Sequence, residues 1–306
     1  MKSPDLPEGV QVFERGWLSS NMTLCVGATH AALVDSGYFT HAGQTVALVR
    51  HALGERRLDL LVNTHLHSDH CGGNAALQAA WPTLATSIPP GQATFVGNWD
   101  PDALTYTPTG QHCPMFGFDE TLTPTQSVQL GHATWTVHAA PGHDPSAVLL
   151  FEPASGTLIS GDALWQNGFG VVFPELEGDQ AFQEVADTLD LIERLAPRTV
   201  IPGHGPVFSY APEVLARARQ RLAAFVASPA KHAQHAAKVL IKFKLLELQA
   251  LERSVFEAWA ANTPYLQLVQ ARFFEDTPLA AWVGQLIDDL VRVGAAQSDG
   301  ARIVNA

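Results

Sequence analysis

The apolar residues of this chain follow two spacings, and each spacing predicts one kind of element. Short apolar runs bounded by turn residues predict strands at 10–14, 22–27 and 31–35, the last two as a hairpin. Apolar positions three and four residues apart predict core-facing helices at 42–54 and 179–195. Strands and helices are therefore interleaved, which is typical of the α/β class.

The pattern changes towards the C-terminal end of the chain. Before residue 211, additional apolar runs predict strands at 58–63 and 198–201, and two strand pairs at 126–138 and 147–160. After it, helical spacing prevails, and a short hairpin with Asp299–Gly300 as its turn closes the chain. The predicted elements of this part are helices at 213–227, 231–250, 251–260, 264–273 and 278–292, with the hairpin at 294–306. We therefore predict two domains, residues 1–210 and a mostly helical domain of residues 211–306.

Residues 82–125 fit neither spacing, because they are rich in proline, glycine and aromatic residues. Long irregular segments in compact domains are usually binding loops or lids. We predict that 88–120 forms a flap over a site and contains a short helix. The alternative is a surface excursion with a small hydrophobic cluster of its own. The aromatic residues concerned are Phe95, Trp99, Tyr106, Phe116 and Phe118.

Composition adds limits on location and partners. The three cysteines, Cys25, Cys71 and Cys113, are odd in number and widely spaced, which favours free thiols in a reducing compartment. The stretch Met1–Glu8 lacks the apolar core of a signal peptide, and no run approaches the length of a membrane span. We therefore predict a cytoplasmic protein with no membrane partner.

The net charge of −12 is unevenly placed. Residues 231–306 carry eight basic and eight acidic side chains, so all the net negative charge lies in residues 1–230. No lysine occurs between Lys2 and Lys231. A nucleic-acid site would normally show a basic surface, so we expect no nucleic-acid partner.

The chemistry of the chain is concentrated in the stretch Thr64–Asn74. Three histidines and one aspartate occur within six residues of it, and they are His65, His67, Asp69 and His70. Imidazole and carboxylate groups suit zinc, iron or manganese. The stretch follows the predicted strand at 58–63 and precedes a helix that Asn74 would cap. The ligands therefore lie on a turn at the carboxyl end of a strand, where α/β folds commonly build sites.

Three later strands end in the same way, each followed by glycine and then a metal-ligating residue. Pro141-Gly142 precedes His143, Ser160-Gly161 precedes Asp162, and Pro202-Gly203 precedes His204. Together with Thr64–Asn74, these motifs resemble the signature of the metallo-β-lactamase superfamily. The resemblance implies an αβ/βα four-layer sandwich, and the C-terminal helices and hairpin resemble a winged-helix appendage.

The resemblance also implies a dinuclear metal centre. One ion would be held by His65, His67 and His143, and the second by Asp69, His70 and His204, with Asp162 bridging both. The cofactors would be two divalent metal ions, with zinc expected and iron or manganese as alternatives. A shared hydroxide would attack the substrate, and Asp69 would be the catalytic residue that orients it and moves its proton. Asp35 would support the centre or cap a turn.

The function implied is hydrolysis of a small acyl substrate, a thioester or an ester, as in the hydroxyacylglutathione hydrolase branch. The alternatives within the superfamily are a lactonase, a persulfide dioxygenase with a single iron, and a nuclease; a non-enzymatic regulator fits the ligand set poorly. We expect Trp165, Phe169 and Phe173 to line the pocket. Lys242 or Lys244 would supply a cation for a glutathione substrate, whereas His232 and His235 would lie on a solvated helix face. The second domain would shape the pocket or form a homodimer.

Overall fold

A computed structural model describes residues 5–306 and shows two six-stranded sheets that pack face to face. The first four residues of the stretch Met1–Glu8, predicted not to be a signal peptide, lie outside the described residues. In the first sheet the strand order follows the chain. Its strands are β1 (Val10–Phe13), β2 (Met22–Val26), β3 (Ala31–Val34), β4 (Leu60–Val62), β5 (Ala85–Ile88) and β6 (Glu120–Thr121). Strands β1 to β3 pair antiparallel, and β3 to β6 pair parallel.

The second sheet also follows chain order. Its strands are β7 (Ser127–Leu130), β8 (Ala133–Ala139), β9 (Val148–Glu152), β10 (Thr157–Gly161), β11 (Thr199–Pro202) and β12 (Phe208–Ser209). All neighbours are antiparallel except β10 and β11, which are parallel. A parallel pair needs a crossover, and the long segment between these two strands contains the helices α5 (Phe173–Glu177) and α6 (Ala181–Leu195).

Alternating side chains explain why the sheets are covered on both faces. In the first sheet Val34 and Val62 point into a core shared with Trp135 and Ile201 of the second sheet. Their neighbours Leu33 and Leu61 point outwards and pack under helices. Those helices are α1 (Ala42–Leu53) and α3 (Asn74–Ala80), and the outer face of the second sheet is covered by α6 and α7 (Pro212–Ala227). The order helix, sheet, sheet, helix confirms the predicted four-layer sandwich.

The C-terminal part is mostly helical, as predicted. Its elements are α8 (Pro229–Leu248), β13 (Ala250–Glu252), α9 (Arg253–Asn262), α10 (Pro264–Phe273), α11 (Leu279–Arg292), β14 (Ala296–Ser298) and β15 (Arg302–Asn305). The three strands form a small antiparallel sheet in the order β13-β15-β14. This part therefore consists of a helix, a strand, further helices and a closing hairpin. The arrangement is winged-helix-like, as the sequence indicated.

The two parts of the chain share their cores. Helix α7 packs its Leu215 and Ala218 against the second sheet. Val171 and Leu176, which lie before and within α5, belong to the core of the C-terminal helices. The predicted division at residues 210 and 211 stays a prediction. Among residues 5–306, no helix is long and apolar enough to cross a membrane.

Three local predictions were wrong. Gly73, not Asn74, is the N-cap of α3, because the Asn74 side chain is buried and bonds to Asn63 and Ser36. The helix predicted to reach residue 250 ends at Leu248, since Gln249 has a φ of 64° and the chain then enters β13. The helix predicted to begin at residue 251 begins at Arg253, because Ala250–Glu252 pair with β15 as β13. Strands β5 and β6 and helix α5 lie where the sequence predicted no strand or helix.

The irregular segment at 88–120 combines both alternatives. It contains the expected short helix, α4 (Ala93–Asn98), after a 3-10 turn. Phe95 reaches the cavity beside the predicted metal ligands. Trp99, Tyr106 and Phe116 pack instead on Leu66 and Cys71, behind the turn that carries the histidines. Most of the aromatic residues therefore support this turn from behind.

Candidate metal centre

All seven predicted ligands meet at one edge of the sandwich. A single short helix, α2 (Ser68–Cys71), follows β4 and shapes the turn that presents the first four ligands. The other three follow strands of the second sheet. His143 comes after β8, Asp162 after β10 and His204 after β11. The site therefore lies where the two sheets face each other, and both sheets contribute to it.

The first group of ligands is a triangle of imidazole nitrogens. His67 Nδ1 lies 3.1 Å from His65 Nε2 and 2.8 Å from His143 Nε2. His143 Nδ1 donates to the carbonyl oxygen of Val171, so the lone pair of its Nε2 faces the other two rings. Zinc–imidazole bonds are about 2.0–2.1 Å long, and three nitrogens at these separations can share one ion.

The second group contains one aspartate and two histidines. Asp69 Oδ2 lies 3.0 Å from His204 Nε2, and His70 completes the group. Asp162 lies between the two groups. Its Oδ1 is 3.4 Å from His70 Nε2, and its Oδ2 is 3.5 Å from His143 Nε2 and 3.8 Å from His204 Nε2. This placement is the one that a bridging carboxylate needs.

Two glycines leave room for these side chains. A Cβ on Gly203 would lie 2.1 Å from Asp162 Oδ1, and a Cβ on Gly170 would lie 2.5 Å from His143 Nδ1. No side chain fits at either place without moving a predicted ligand. The close approach explains why glycine directly precedes His204 in the sequence.

One histidine has a lone pair that the protein itself does not use. His70 Nε2 is buried and lacks a hydrogen-bond partner within residues 5–306. His70 Nδ1 donates to Asp35, which fixes the tautomer and leaves Nε2 as an acceptor facing Asp162. A buried acceptor without a donor is costly, and a divalent cation would satisfy it. The residues present therefore fit the metal ions that the sequence implied.

Electrostatics support the same conclusion. Burial, with the neighbouring His70 and His67, holds the pKa of His65 well below its usual range, so this imidazole is in the neutral form that binds metals. Burial would raise the pKa of Asp162, but His204 and His70 outweigh it and hold the pKa well below the ordinary value. His65 and His67 thus offer neutral nitrogens, because burial also lowers the pKa of His67, and the nearby carboxylate of Asp162 stays ionised.

Asp35 supports the metal-binding turn directly. Its Oδ1 accepts the backbone N–H of Thr64, and its Oδ2 accepts from the Thr64 hydroxyl and from His70 Nδ1, each within 2.9 Å. The residue is 2% exposed and adopts a left-handed φ of 60°. These contacts match the supporting position that the resemblance implied, and they differ from a simple turn cap.

The N-terminal segment contributes residues that sequence reasoning missed. Trp17 stacks on His204 with ring centroids 5.4 Å apart, and it meets Trp165 edge-on at 5.3 Å. Trp165 Nε1 in turn donates to Asp162 Oδ1. Asn21 bonds to the carbonyl oxygens of Pro202 and Gly205 on either side of His204. No motif marks Trp17 or Asn21, because the residues they contact, such as Pro202 and His204, lie far along the chain.

A cavity of about 590 Å³ opens on the centre. Of the predicted aromatic residues, Trp165 and Phe173 line it, but Phe169 does not, because it is buried in the core under α6 and α7.

Asp144, the residue after His143, is 2% exposed, and its Oδ2 lies 3.9 Å from His67 Nε2. Cys71 is packed against Tyr106 and Cys113 as expected, away from the ligand atoms.

The C-terminal part forms one wall of the cavity, but with residues other than those predicted. Lys242 bonds to Ala295 and Asn305, and Lys244 pairs with Glu247, so neither reaches the cavity. The residues that do are Arg221, His235, Val239, Leu240, Phe243 and Tyr265. Every one of them was missed, because helical spacing alone does not show which face meets the sandwich.

The prediction that His232 and His235 lie on a solvated face was wrong. His232 is fully buried between Phe182 and Phe225, where its Nε2 accepts the backbone N–H of Val172. Both faces of α8 are covered, one by the helices after it and the other by α7 and the sandwich. The polar pattern of one helix cannot show that neighbouring elements cover both of its faces.

Comparisons with known proteins agree with this geometry. The family model described as Metallo-beta-lactamase superfamily matches residues 15–204. A hydroxyacylglutathione hydrolase of Legionella pneumophila (strain Lens) is 26% identical over 160 residues, 52% of this chain and 53% of that protein. Another, from Anaeromyxobacter dehalogenans (strain 2CP-C), is 34% identical over 140 residues, 46% and 44% of the two chains. The chain therefore spans about half the length of the curated relatives it matches.

The fold is shared over a longer stretch than the sequence similarity. A metallo-beta-lactamase family protein from Thermus thermophilus has a TM-score of 0.57 and 19% identity, over 98% of this chain and 99% of that chain. The likeness thus includes the C-terminal helices, which lie outside the matched family model.

Proposed function

Since this chain belongs to the metallo-beta-lactamase superfamily, we propose that it is a metal-dependent hydrolase that cleaves a small acyl substrate, a thioester or an ester. The observation that carries the proposal is the position of Asp162. Its carboxylate lies within 3.8 Å of imidazoles from both ligand groups. When bound, two divalent cations would supply an activated water nucleophile and would stabilise negative charge on the substrate carbonyl oxygen.

Asp69 is the residue best placed to handle the proton of the attacking water. It lines the cavity, and its Oδ2 lies 3.0 Å from His204 Nε2. Burial would raise the pKa of Asp69, but the His204 hydrogen bond and nearby His70 hold it below the ordinary value. An ionised carboxylate at this place orients water and accepts its proton.

The donor set favours zinc, with iron and manganese as alternatives. Five of the seven proposed ligands are imidazoles and two are carboxylates, and no thiol lies among them. Imidazole donors suit zinc and iron, and carboxylates also suit manganese. Asp69 and His204 lie in contact, and this supports a second ion. A single-iron persulfide dioxygenase would leave these two residues with no metal ion to bind.

Three features support a thioester or ester as the substrate. The similar proteins from Legionella and Anaeromyxobacter are named hydroxyacylglutathione hydrolases. Aromatic and aliphatic side chains make up much of the cavity wall, including Trp165, Phe173 and Phe243. Asp144, Glu177 and Asp179 also line the cavity, and acidic residues at these places would repel the backbone of a nucleic acid.

We predict close to two metal ions per chain in protein purified without chelator. Replacing Asp69 or His204 with alanine should reduce the content towards one ion, because each removes a ligand of one group only. Elemental analysis of the three proteins measures this directly. A single ion in the unmodified protein, unchanged in both variants, would contradict the dinuclear centre.

We also predict a preference for acyl over phosphoryl substrates. Short-chain aryl thioesters should be hydrolysed with a kcat/KM well above that of an aryl phosphodiester, since the cavity lacks a series of cations for an extended anion. Rates should be measured at matched metal content, with a lactone and a persulfide in the same series. A large advantage for the phosphodiester would favour the nuclease branch instead.

A further inference from the structure

One cation in the cavity wall has no acidic partner. Arg221, on α7, is the single lysine or arginine that lines the cavity in the part of the chain described here. No carboxylate oxygen among residues 5–306 lies within 4.0 Å of its guanidinium, and its Nε has no hydrogen-bond partner. By contrast Arg219, two residues earlier, forms ion pairs with Asp190 and Glu193 on the surface.

The surroundings of Arg221 hold the guanidinium in place without neutralising it. The group lies 5.2 Å from the ring centroid of Phe225 and 5.6 Å from that of Phe169. Gly168 gives it space, because a Cβ there would lie 2.8 Å from Arg221 Cδ. Aromatic faces stabilise a cation and fix its orientation, but its full charge remains.

A neutral histidine completes the orientation. Arg221 Nη2 donates to His235 Nε2 over 2.8 Å, so His235 is the acceptor in this pair. Burial and the charge of Arg221 lower the pKa of His235 to about 4, which keeps the imidazole neutral at physiological pH. The contact uses one of the five N–H groups of the guanidinium and leaves its charge uncompensated.

A half-buried charge without a counter-ion is costly to maintain, and a ligand of opposite charge would compensate it. Glu177 and Asp179 line the same cavity but form no ion pair with Arg221. Glu177 lies beside Tyr265 instead, and burial together with Asp179 raises its pKa. The cavity therefore presents one isolated positive group to whatever enters it.

We propose that Arg221 binds a carboxylate of the substrate, so that the enzyme is selective for acyl compounds that carry one additional carboxylate. This inference rests on the hydrolase function proposed above and specifies its substrate class. The fork of N–H donors in a guanidinium matches the two oxygens of a carboxylate. Val239, Leu240 and Phe243 line the same wall and suit an apolar spacer between that carboxylate and the reacting carbonyl.

Paired substrates test the selectivity. A thioester of succinate with a neutral thiol should be compared with the same compound as its methyl ester, which has no charge. The unmodified enzyme should prefer the carboxylate by about 10- to 100-fold in kcat/KM, the range expected for a hydrogen-bonded charge pair. Arg221→Gln should lose most of this preference while hydrolysing the methyl ester at a similar rate. Arg221→Lys should keep part of it.

A second pair of substrates locates the carboxylate. An acetyl thioester of 3-mercaptopropionate carries the charge on the thiol side, whereas the succinyl compound carries it on the acyl side. Arg221 binds the carboxylate on the side for which Arg221→Gln loses the preference for the charged substrate. Arg219→Gln is the matched control, because it removes the same charge from the same helix away from the cavity, and it should leave both preferences unchanged.

A binding measurement separates this inference from the proposed hydrolysis. Calorimetric titration of the metal-loaded protein with glutarate and with pentanoate compares two ligands of equal chain length that differ in one carboxylate. If the protein prefers glutarate and this preference depends on Arg221, the carboxylate site is supported. If the same protein turns over no thioester, the proposed hydrolase function is overturned. An affinity for glutarate that is unchanged in Arg221→Gln, or an equal loss on charged and neutral substrates in that variant, would overturn the carboxylate site.

Discussion

The Asp162→Asn variant should hydrolyse no substrate above background and should retain at most one metal ion per chain. Asparagine has nearly the same shape as aspartate, so the two sheets should still pack around it. What it lacks is the negative charge that faces imidazoles of both ligand groups at 3.4–3.8 Å. Without that charge the two cations would repel each other with no carboxylate between them, and the water they activate would be lost.

Metal analysis and thioester kinetics on the same preparation measure the two effects together. Asp187→Asn is the matched control, because Asp187 is exposed on α6 and bonds only to Gln183 on the same helix. It should keep the metal content and the rate of the unmodified protein. If Asp162→Asn retained both ions and most of its activity, Asp162 would not bridge the groups and the proposed centre would be wrong.

The second large effect is expected for Asp35→Asn, although Asp35 touches no metal. The amide group of asparagine would donate to His70 Nδ1, where aspartate accepts. His70 would then carry its proton on Nε2, the atom that faces Asp162, and could no longer act as a ligand. We expect metal affinity to fall about 10- to 100-fold, the usual result when a ligating histidine loses its partner.

The same substitution should lower the free energy of unfolding. Asp35 and His70 form a buried pair, with the side chains 3% and 0% exposed. The substitution disrupts the hydrogen bonds of Asp35 with Thr64 and His70, and a buried polar group left without its partner typically costs about 1–3 kcal/mol. Urea unfolding monitored by circular dichroism measures this loss, and competition with a chromophoric chelator measures the affinity.

Asp59→Asn provides the comparison for Asp35→Asn. Asp59 also accepts a backbone N–H from a neighbouring strand, that of Ala31, but it lies at the opposite end of β4 and pairs with the exposed Arg57. It should lose little stability and no metal affinity. Equal effects of the two variants would show that Asp35 acts only as a general stabiliser of the sheet.

The structure brings the seven candidate ligands together, and the sequence could indicate them because each lies in a short local motif. Four lie within six residues, and each of the other three follows a glycine at the end of an apolar strand. The strands that carry them are buried on both faces or alternate regularly, so their position in the sandwich could be inferred. The glycines at 170 and 203 are explained only by the structure, since the side chains they accommodate come from distant positions.

The cavity was predicted less well, because its walls depend on how helices pack. Val239 and Leu240 look like ordinary core residues of α8, and nothing local shows that they border the cavity. Arg221 lies among other arginines of α7, and what sets it apart is its place in the cavity wall beside Phe169 and Phe225, which only the structure shows. Lys242 and Lys244 were the wrong candidates because their partners, such as Asn305 and Glu247, are fixed by the tertiary structure.

The ligands of the centre come from both sheets, and this has a consequence for cooperativity. His65 and His67 follow a strand of the first sheet, whereas His143 follows a strand of the second. An ion held by all three joins segments far apart in the chain, as a disulfide would, while Asp162 ties the same cluster to β10. Neither sheet could then separate from its partner without releasing the ion, so metal binding would favour unfolding of the two sheets together in a single transition.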